Sequence, residues 1–249
     1  MFRLNTSREA VMSLTKQVKQ TDYTLYYGQE NSYLVIAGHG LASGRNNLFN
    51  YAATHYIHKK NLPCDYLAMH FHDAHTFLFT NIETQTQMLN SVIEKYHHQY
   101  KKIFLVGVSY SALACLNANH NHVSKMVLVE PSLNISLMWQ FETSKVIEIA
   151  GVEYYLNFDR HVPIAFSKIL KQEGLMYNLN ASKSLIEALR VKTLMIHAEK
   201  DEHYKLIEGV DLDTEYVSNN VIQNASHDFM EVGVLDQVVK KTFRFFDLN

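Results

Sequence analysis

Ser109 is the residue best placed to do chemistry. It stands two positions after Gly107, at the end of the apolar run Ile103-Phe104-Leu105-Val106, and the helix-forming run Ser111-Ala112-Leu113-Ala114 follows it. That order predicts a strand, a sharp turn and a helix, with the serine on the turn. A hydroxyl there projects clear of the backbone. The helix behind it aims unpaired N–H groups at the same spot, so a nucleophile would sit beside a stabiliser of negative charge. A serine hydroxyl also needs a base to take its proton, and the base needs a group to orient it. Two later stretches offer such groups, each at the end of a predicted strand: Glu199-Lys200-Asp201 and Ser226-His227-Asp228. On residue type, His227 is the candidate base, and Glu199, Asp201, Glu202 and Asp228 are candidate acids. The alternative is an ordinary strand–helix turn whose serine has no role.

Two other stretches have chemistry-bearing spacing. Gly38-His39-Gly40-Leu41-Ala42-Ser43-Gly44 is a glycine-rich loop after a predicted strand, but it has neither Gly-Lys-Ser/Thr nor Gly-x-Gly-x-x-Gly, so it is not read as a phosphate cradle. His70-Phe71-His72-Asp73-Ala74-His75 is similar to the His-x-His-x-Asp-His ligand run of metallo-β-lactamase-like hydrolases. Its aspartate falls one place early, and such ligands are set by position around a tight turn. No metal is expected there.

The elements that would position these groups alternate. Strands are predicted at 23–27 and 33–37 with a hairpin turn at 28–31, then at 66–71, 103–108, 123–129, 193–198 and 216–222. Helices are predicted at 46–60, 82–100 and 232–246, with a weak helical pattern over 7–20 through Val11, Leu14 and Val18. Strand–helix alternation implies a mostly parallel central sheet flanked by helices on both faces. Residues 132–190 interrupt the rhythm. They are helical in tone and rich in large apolar groups, among them Trp139, Phe141, Tyr154, Tyr155 and Phe158. With no linker or repeat in sight, 1–131 and 191–249 are read as one core and 132–190 as an insertion.

Gly107-Val108-Ser109-Tyr110-Ser111 resembles the Gly-x-Ser-x-Gly nucleophile elbow of the α/β-hydrolase superfamily, with Ser111 where the family has glycine. The order Ser…Asp…His is also that family's. The resemblance runs over roughly 22–246 and implies an α/β-hydrolase fold, with a small helical cap inserted after the sixth strand and lying over the active site. Carried over by position, Ser109 is the nucleophile, His227 the base and Asp201 the acid. Gly38-His39-Gly40-Leu41 resembles the family's oxyanion loop, which makes the N–H groups of Leu41 and Tyr110 the oxyanion donors. His39, Trp139 and Phe141 are candidate substrate-binding residues. The family's glycine-rich segment is missing near Asp73. The implied activity is a serine hydrolase that cleaves an ester or thioester of a small, partly apolar acyl substrate through an acyl-enzyme, without cofactor. Acyl transfer, C–C bond hydrolysis and non-catalytic binding of a small ligand remain alternatives on the same residues.

Composition narrows the classes further. Among 249 residues, 47% are hydrophobic and 19% charged, as in an ordinary globular protein. A net charge of −2 gives no electrostatic case for nucleic acid. Charges near the start, at Arg3, Arg8 and Glu9, stand where a signal peptide needs apolar residues, and no apolar run is long enough for a membrane span. Cys64 and Cys115 lack metal-type spacing and read as reduced core thiols of a cytoplasmic protein.

Overall fold

The computed structural model describes residues 17–19, 23–26, 32–41, 43–73, 78–140, 144–149, 152–157 and 164–248. The elements are β1 (Gln17–Lys19), β2 (Tyr23–Tyr26), β3 (Tyr33–Ala37), α1 (Leu48–Lys60), β4 (Cys64–Met69), α2 (Ile82–Tyr96), β5 (Lys102–Val108), α3 (Ser111–Asn117), β6 (Val123–Val129), α4 (Ile135–Gln140), β7 (Ser144–Ile149), β8 (Val152–Asn157), β9 (Ile164–Phe166), α5 (Lys168–Gly174), α6 (Leu179–Ala188), β10 (Lys192–Ala198), α7 (Glu202–Lys205), β11 (Val217–Ile222) and α8 (Val234–Phe245). Among the described residues, eight strands form one sheet in the order β1-β2-β4-β3-β5-β6-β10-β11. β1 and β2, and β2 and β4, pair antiparallel. The other pairs are parallel.

The central strands are apolar on both faces because helices cover both. Along β3, Leu34 and Ile36 join an apolar layer with Leu89, Val92 and Ile93 of α2 and Leu113 of α3. Val35 and Ala37 point the other way, into a layer with Phe49, Ala53 and Ile57 of α1 and Val238, Val239 and Phe243 of α8. That split follows from the two-residue period of a strand. Asparagine caps start the helices on the first of these layers and the second alike: Asn47 accepts the Asn50 N–H at 2.8 Å and Asn81 the Thr84 N–H at 3.2 Å.

Three expectations are corrected. The predicted hairpin does not form, since β2 pairs with β1 and β4 while β3 lies between β4 and β5. Four of the five β3 residues are buried, and so apolar a strand belongs at the centre of the sheet with a partner on each side. Its expected turn, 28–31, lies outside the described residues. At Val18 the weak helical pattern gives way to β1, where pairing with β2 overrides local propensity; positions 7–16 of that pattern lie outside the described residues.

The third correction concerns the insertion between β6 and β10. It holds helices α4, α5 and α6, but also a three-stranded antiparallel sheet, β7-β8-β9. The helical reading missed that Val146-Ile147-Glu148-Ile149 and Val152-Glu153-Tyr154-Tyr155 are rich in β-branched and aromatic residues, with only Ala150-Gly151 between them. The insertion is tied to the core by Glu173 of α5. Its carboxylate accepts the Ile82 and Glu83 N–H groups at the N-terminus of α2, which the helix ladder leaves unpaired.

Candidate active site

Ser109 lies between β5 and α3 with a φ of 53°, in the left-handed region. For a non-glycine residue this costs about 1–2 kcal/mol. Three main-chain bonds hold it there: Ser109 N–H to Val129 O (2.8 Å), Ala112 N–H to Ser109 O (3.1 Å) and Ser132 N–H to Ser109 O (3.3 Å). The turn is tight because Gly107 has no side chain: a Cβ there would stand 2.7 Å from Ala112 Cα. Ser111, the departure from the family pattern, turns its hydroxyl back on the elbow. It accepts the Val108 N–H at 2.9 Å and donates to Val108 O at 3.0 Å. Room for it comes from Gly38, whose Cβ would stand 2.7 Å from Ser111 Cβ.

The acid and histidine loops leave β10 and β11, which are adjacent parallel strands. Lys200 N–H donates to Ala225 O at 2.9 Å and joins the two loops. His227 Nδ1 donates to Asp201 Oδ2 at 2.9 Å. Of the other candidate acids, Glu199 is engaged by the Asn224 N–H at 2.7 Å. Glu202 sits in the first turn of α7, which Asp201 caps through the His203 N–H at 3.1 Å. Burial alone would raise the Asp201 pKa. Hydrogen bonds with His227 and Glu130 and the electrostatic pull of His227 and His203 outweigh burial and hold the carboxyl well below the usual range.

The Ser109 hydroxyl bonds to Ser132 Oγ at 3.2 Å, not to the His227 ring. Ser132 Oγ in turn lies 2.9 Å from His203 Nδ1, and the His203 ring stacks on His227 with centroids 4.8 Å apart. Sequence reasoning missed Ser132 and His203, although each is close to a residue already singled out: His203 is two places past Asp201, and Ser132 follows the end of β6. It also passed over Glu130, which is 2% exposed. Both its carboxyl oxygens are buried, beside the Asp201 carboxylate and the Ala198 main chain. Burial, then the neighbouring Asp201, push the Glu130 carboxyl up to about 11, so it is neutral at ordinary pH.

The loop after β3 packs directly on the nucleophile: a Cβ at Gly40 would lie 3.1 Å from Ser109 Cβ. Among the described residues, neither the Leu41 nor the Tyr110 N–H donates to a protein acceptor. His39 is corrected as a substrate contact. It is fully buried, with Nδ1 on Gly40 O at 3.0 Å and Nε2 accepting the Phe71 N–H at 3.1 Å. Burial pushes its pKa down to about 3, so the neutral ring serves as a brace for the loop. Trp139 belongs to α4, and nothing is described of its side chain; Phe141 lies outside the described residues. From the insertion, Glu173 and Tyr177 act electrostatically on the buried Tyr110 hydroxyl, whose pKa burial, above all, pushes well up; the Tyr110 ring also meets Phe79 edge-on at 5.6 Å.

Three groups among the described residues have metal-type proximity, with one ligand atom from each member within 4.8 Å of the others: His39, His70 and His72; Glu94, His97 and His122; and Asp201, His203 and His227. In the first, both ring nitrogens of His39 are already used by the backbone. His75 of the histidine-rich run lies outside the described residues. No described helix is long and apolar enough to cross a membrane.

No family model matches the sequence, and no curated protein does. Solved structures do match. Est1E from Butyrivibrio proteoclasticus, solved with ferulic acid bound, is 12% identical, with 92% of this chain and 97% of that one covered at a TM-score of 0.69. A monoacylglycerol lipase from Paleococcus ferrophilus is 14% identical, with 91% and 98% covered at 0.63. A dienelactone hydrolase from Anabaena variabilis is 16% identical, with 93% and 96% covered at 0.60. With this strand order and these neighbours, the chain has the fold of the α/β-hydrolase superfamily.

Proposed function

We propose that the protein is a serine hydrolase that cleaves an ester, or a thioester, of a small and partly apolar acyl substrate. The observation that carries this reading is the Asp201–His227 hydrogen bond at the same sheet edge as the strained Ser109. His227 uses Nδ1 for Asp201, which leaves Nε2 to take the Ser109 proton. Ser109 Oγ attacks the carbonyl carbon, and the Leu41 and Tyr110 N–H groups receive the oxyanion; losing one such donor raises a barrier by about 3 kcal/mol. The protonated imidazole then delivers its proton to the leaving group. Water, activated by the same imidazole, releases the acyl group from Ser109. Catalytic hydrogen bonds are often loose before substrate arrives, so the Ser109–Ser132 contact is compatible with this sequence.

The insertion 132–190 would cover this site; its attachment to the core through Glu173, whose charge also reaches Tyr110, supports that placement. Tyr110, next to the nucleophile in the chain, packs edge-on against Phe79, and apolar surroundings of this kind favour an acyl group with an apolar or aromatic part. Ferulic acid in Est1E and the monoacylglycerol lipase neighbour point the same way.

The test is intact-mass analysis after fluorophosphonate treatment, with peptide mapping. A single adduct on Ser109, and p-nitrophenyl acetate turnover lost in Ser109→Ala, are expected. A second reading, a non-catalytic ligand binder, is favoured by the Ser109 hydroxyl pairing with Ser132 in place of the imidazole. Absence of both adduct and turnover would select it.

A further inference from the structure

Ser109 Oγ, Ser132 Oγ and His203 Nδ1 form a continuous chain of 3.2 and 2.9 Å contacts. Ser132 is 2% exposed and Ser109 is 9%, so the serine end of the chain is shielded from water. His203 is held in place by two further contacts. Its main-chain N–H donates to Asp201 Oδ1 at 3.1 Å, and its ring lies over the His227 ring with an interplanar angle of 23°. One carboxylate thus anchors both imidazoles, His227 through its ring and His203 through its backbone.

We propose that Ser132 and His203 provide a second exit for the Ser109 proton, parallel to the one through His227. This rests on Ser109 being the nucleophile. With His203 Nδ1 unprotonated, the Ser132 hydroxyl donates to it and accepts from Ser109. As Ser109 Oγ bonds to the carbonyl carbon, the π pair moves onto the carbonyl oxygen. The Ser109 proton passes to Ser132, and the proton of Ser132 passes to His203. The imidazolium formed there lies close enough to the Asp201 carboxylate to be stabilised by it. When the adduct collapses, the carbon–leaving-group bond breaks, and Ser132 gives its proton to the departing oxygen and retakes one from His203. Water then attacks the acyl carbon, its proton passes through Ser132 to His203, and that proton returns to Ser109 Oγ as the acid leaves. Ser132 touches the reacting atom; His203 acts through it, as a positioning residue.

The experiment measures p-nitrophenyl acetate turnover in a His227→Ala background, with Ser109→Ala as the floor. His227→Ala is expected to keep a rate at least about tenfold above that floor. Adding His203→Phe, which retains the stacked ring without its nitrogens, brings the rate down to the floor. Adding Ser132→Ala does the same, while Ser132→Thr, which keeps a hydroxyl, preserves the rate. The losses fall in kcat with KM unchanged, and thermal midpoints stay near that of His227→Ala. Equal rates for His227→Ala with and without the second substitutions overturn the proposal. So does a His227→Ala rate no higher than the floor, or Ser132→Thr behaving like Ser132→Ala. If the wild-type protein shows no Ser109-dependent turnover at all, the proposed function fails and takes this second exit with it.

Discussion

Glu130 and Asp201 are buried carboxyls that face one another, and a single proton decides their relation. Asp201, bonded to His227, is the one that stays ionised; Glu130 keeps its proton. The folded protein therefore binds a proton on Glu130 that the unfolded chain releases near pH 4.5. What Glu130 contributes to stability is fully present below that pH and is lost as pH rises toward about 11. Glu130→Gln keeps the shape and a donor without that proton linkage. It is expected to raise the thermal midpoint at pH 7–8, with the gain shrinking toward nothing at pH 4. Calorimetry across that range checks the sign. Gly40 is the second residue with a sharp consequence. Gly40→Ala places a Cβ 3.1 Å from Ser109 Cβ, so the loop bearing Leu41 must shift. A kcat loss of about 10–100-fold with little change in KM is expected in ester hydrolysis.

At the scale of elements, β5 and α3 approach each other as closely as backbone allows. Gly107→Ala would press against the Ala112 main chain at 2.7 Å, where no flexible side chain can give way. It is expected to cost about 1–3 kcal/mol of stability and to disturb the elbow, both readable from denaturant unfolding and ester turnover. Ser111 causes no such crowding because its neighbour across the turn is Gly38, and its hydroxyl satisfies Val108 on both polar atoms. The junction of α5 with α2 is polar instead. Glu173→Ala strips two main-chain N–H groups of their acceptor. The expected loss is about 1–2 kcal/mol, or a thermal midpoint lower by roughly 2–8 °C.

At the scale of the whole molecule, the site is assembled where parallel strands β5, β10 and β11 end on one edge of the sheet. Chemistry there would need no metal. A chelator is expected to leave p-nitrophenyl ester turnover unchanged, while a fluorophosphonate abolishes it; the reverse pattern would shift attention to the histidine clusters. Much of this architecture is legible in the chain itself. Continuous apolar runs such as Leu34-Val35-Ile36-Ala37, alternating with helical periods, determine a parallel sheet covered on both faces, because such strands have no face that tolerates water. Gly107 and Ser109 mark the elbow for a local reason, the need for a tight turn between strand and helix. What the sequence left open was settled by contacts between distant segments. Glu199 and Asp201 are equivalent by type, and only the fold gives one to Asn224 and the other to His227. The central place and partners of β3, the small sheet of the insertion, the burial of Glu130 and the pairing of Ser109 with Ser132 are likewise tertiary facts. Periodicity reports which face of an element is dry, but not which other segment comes to lie against it.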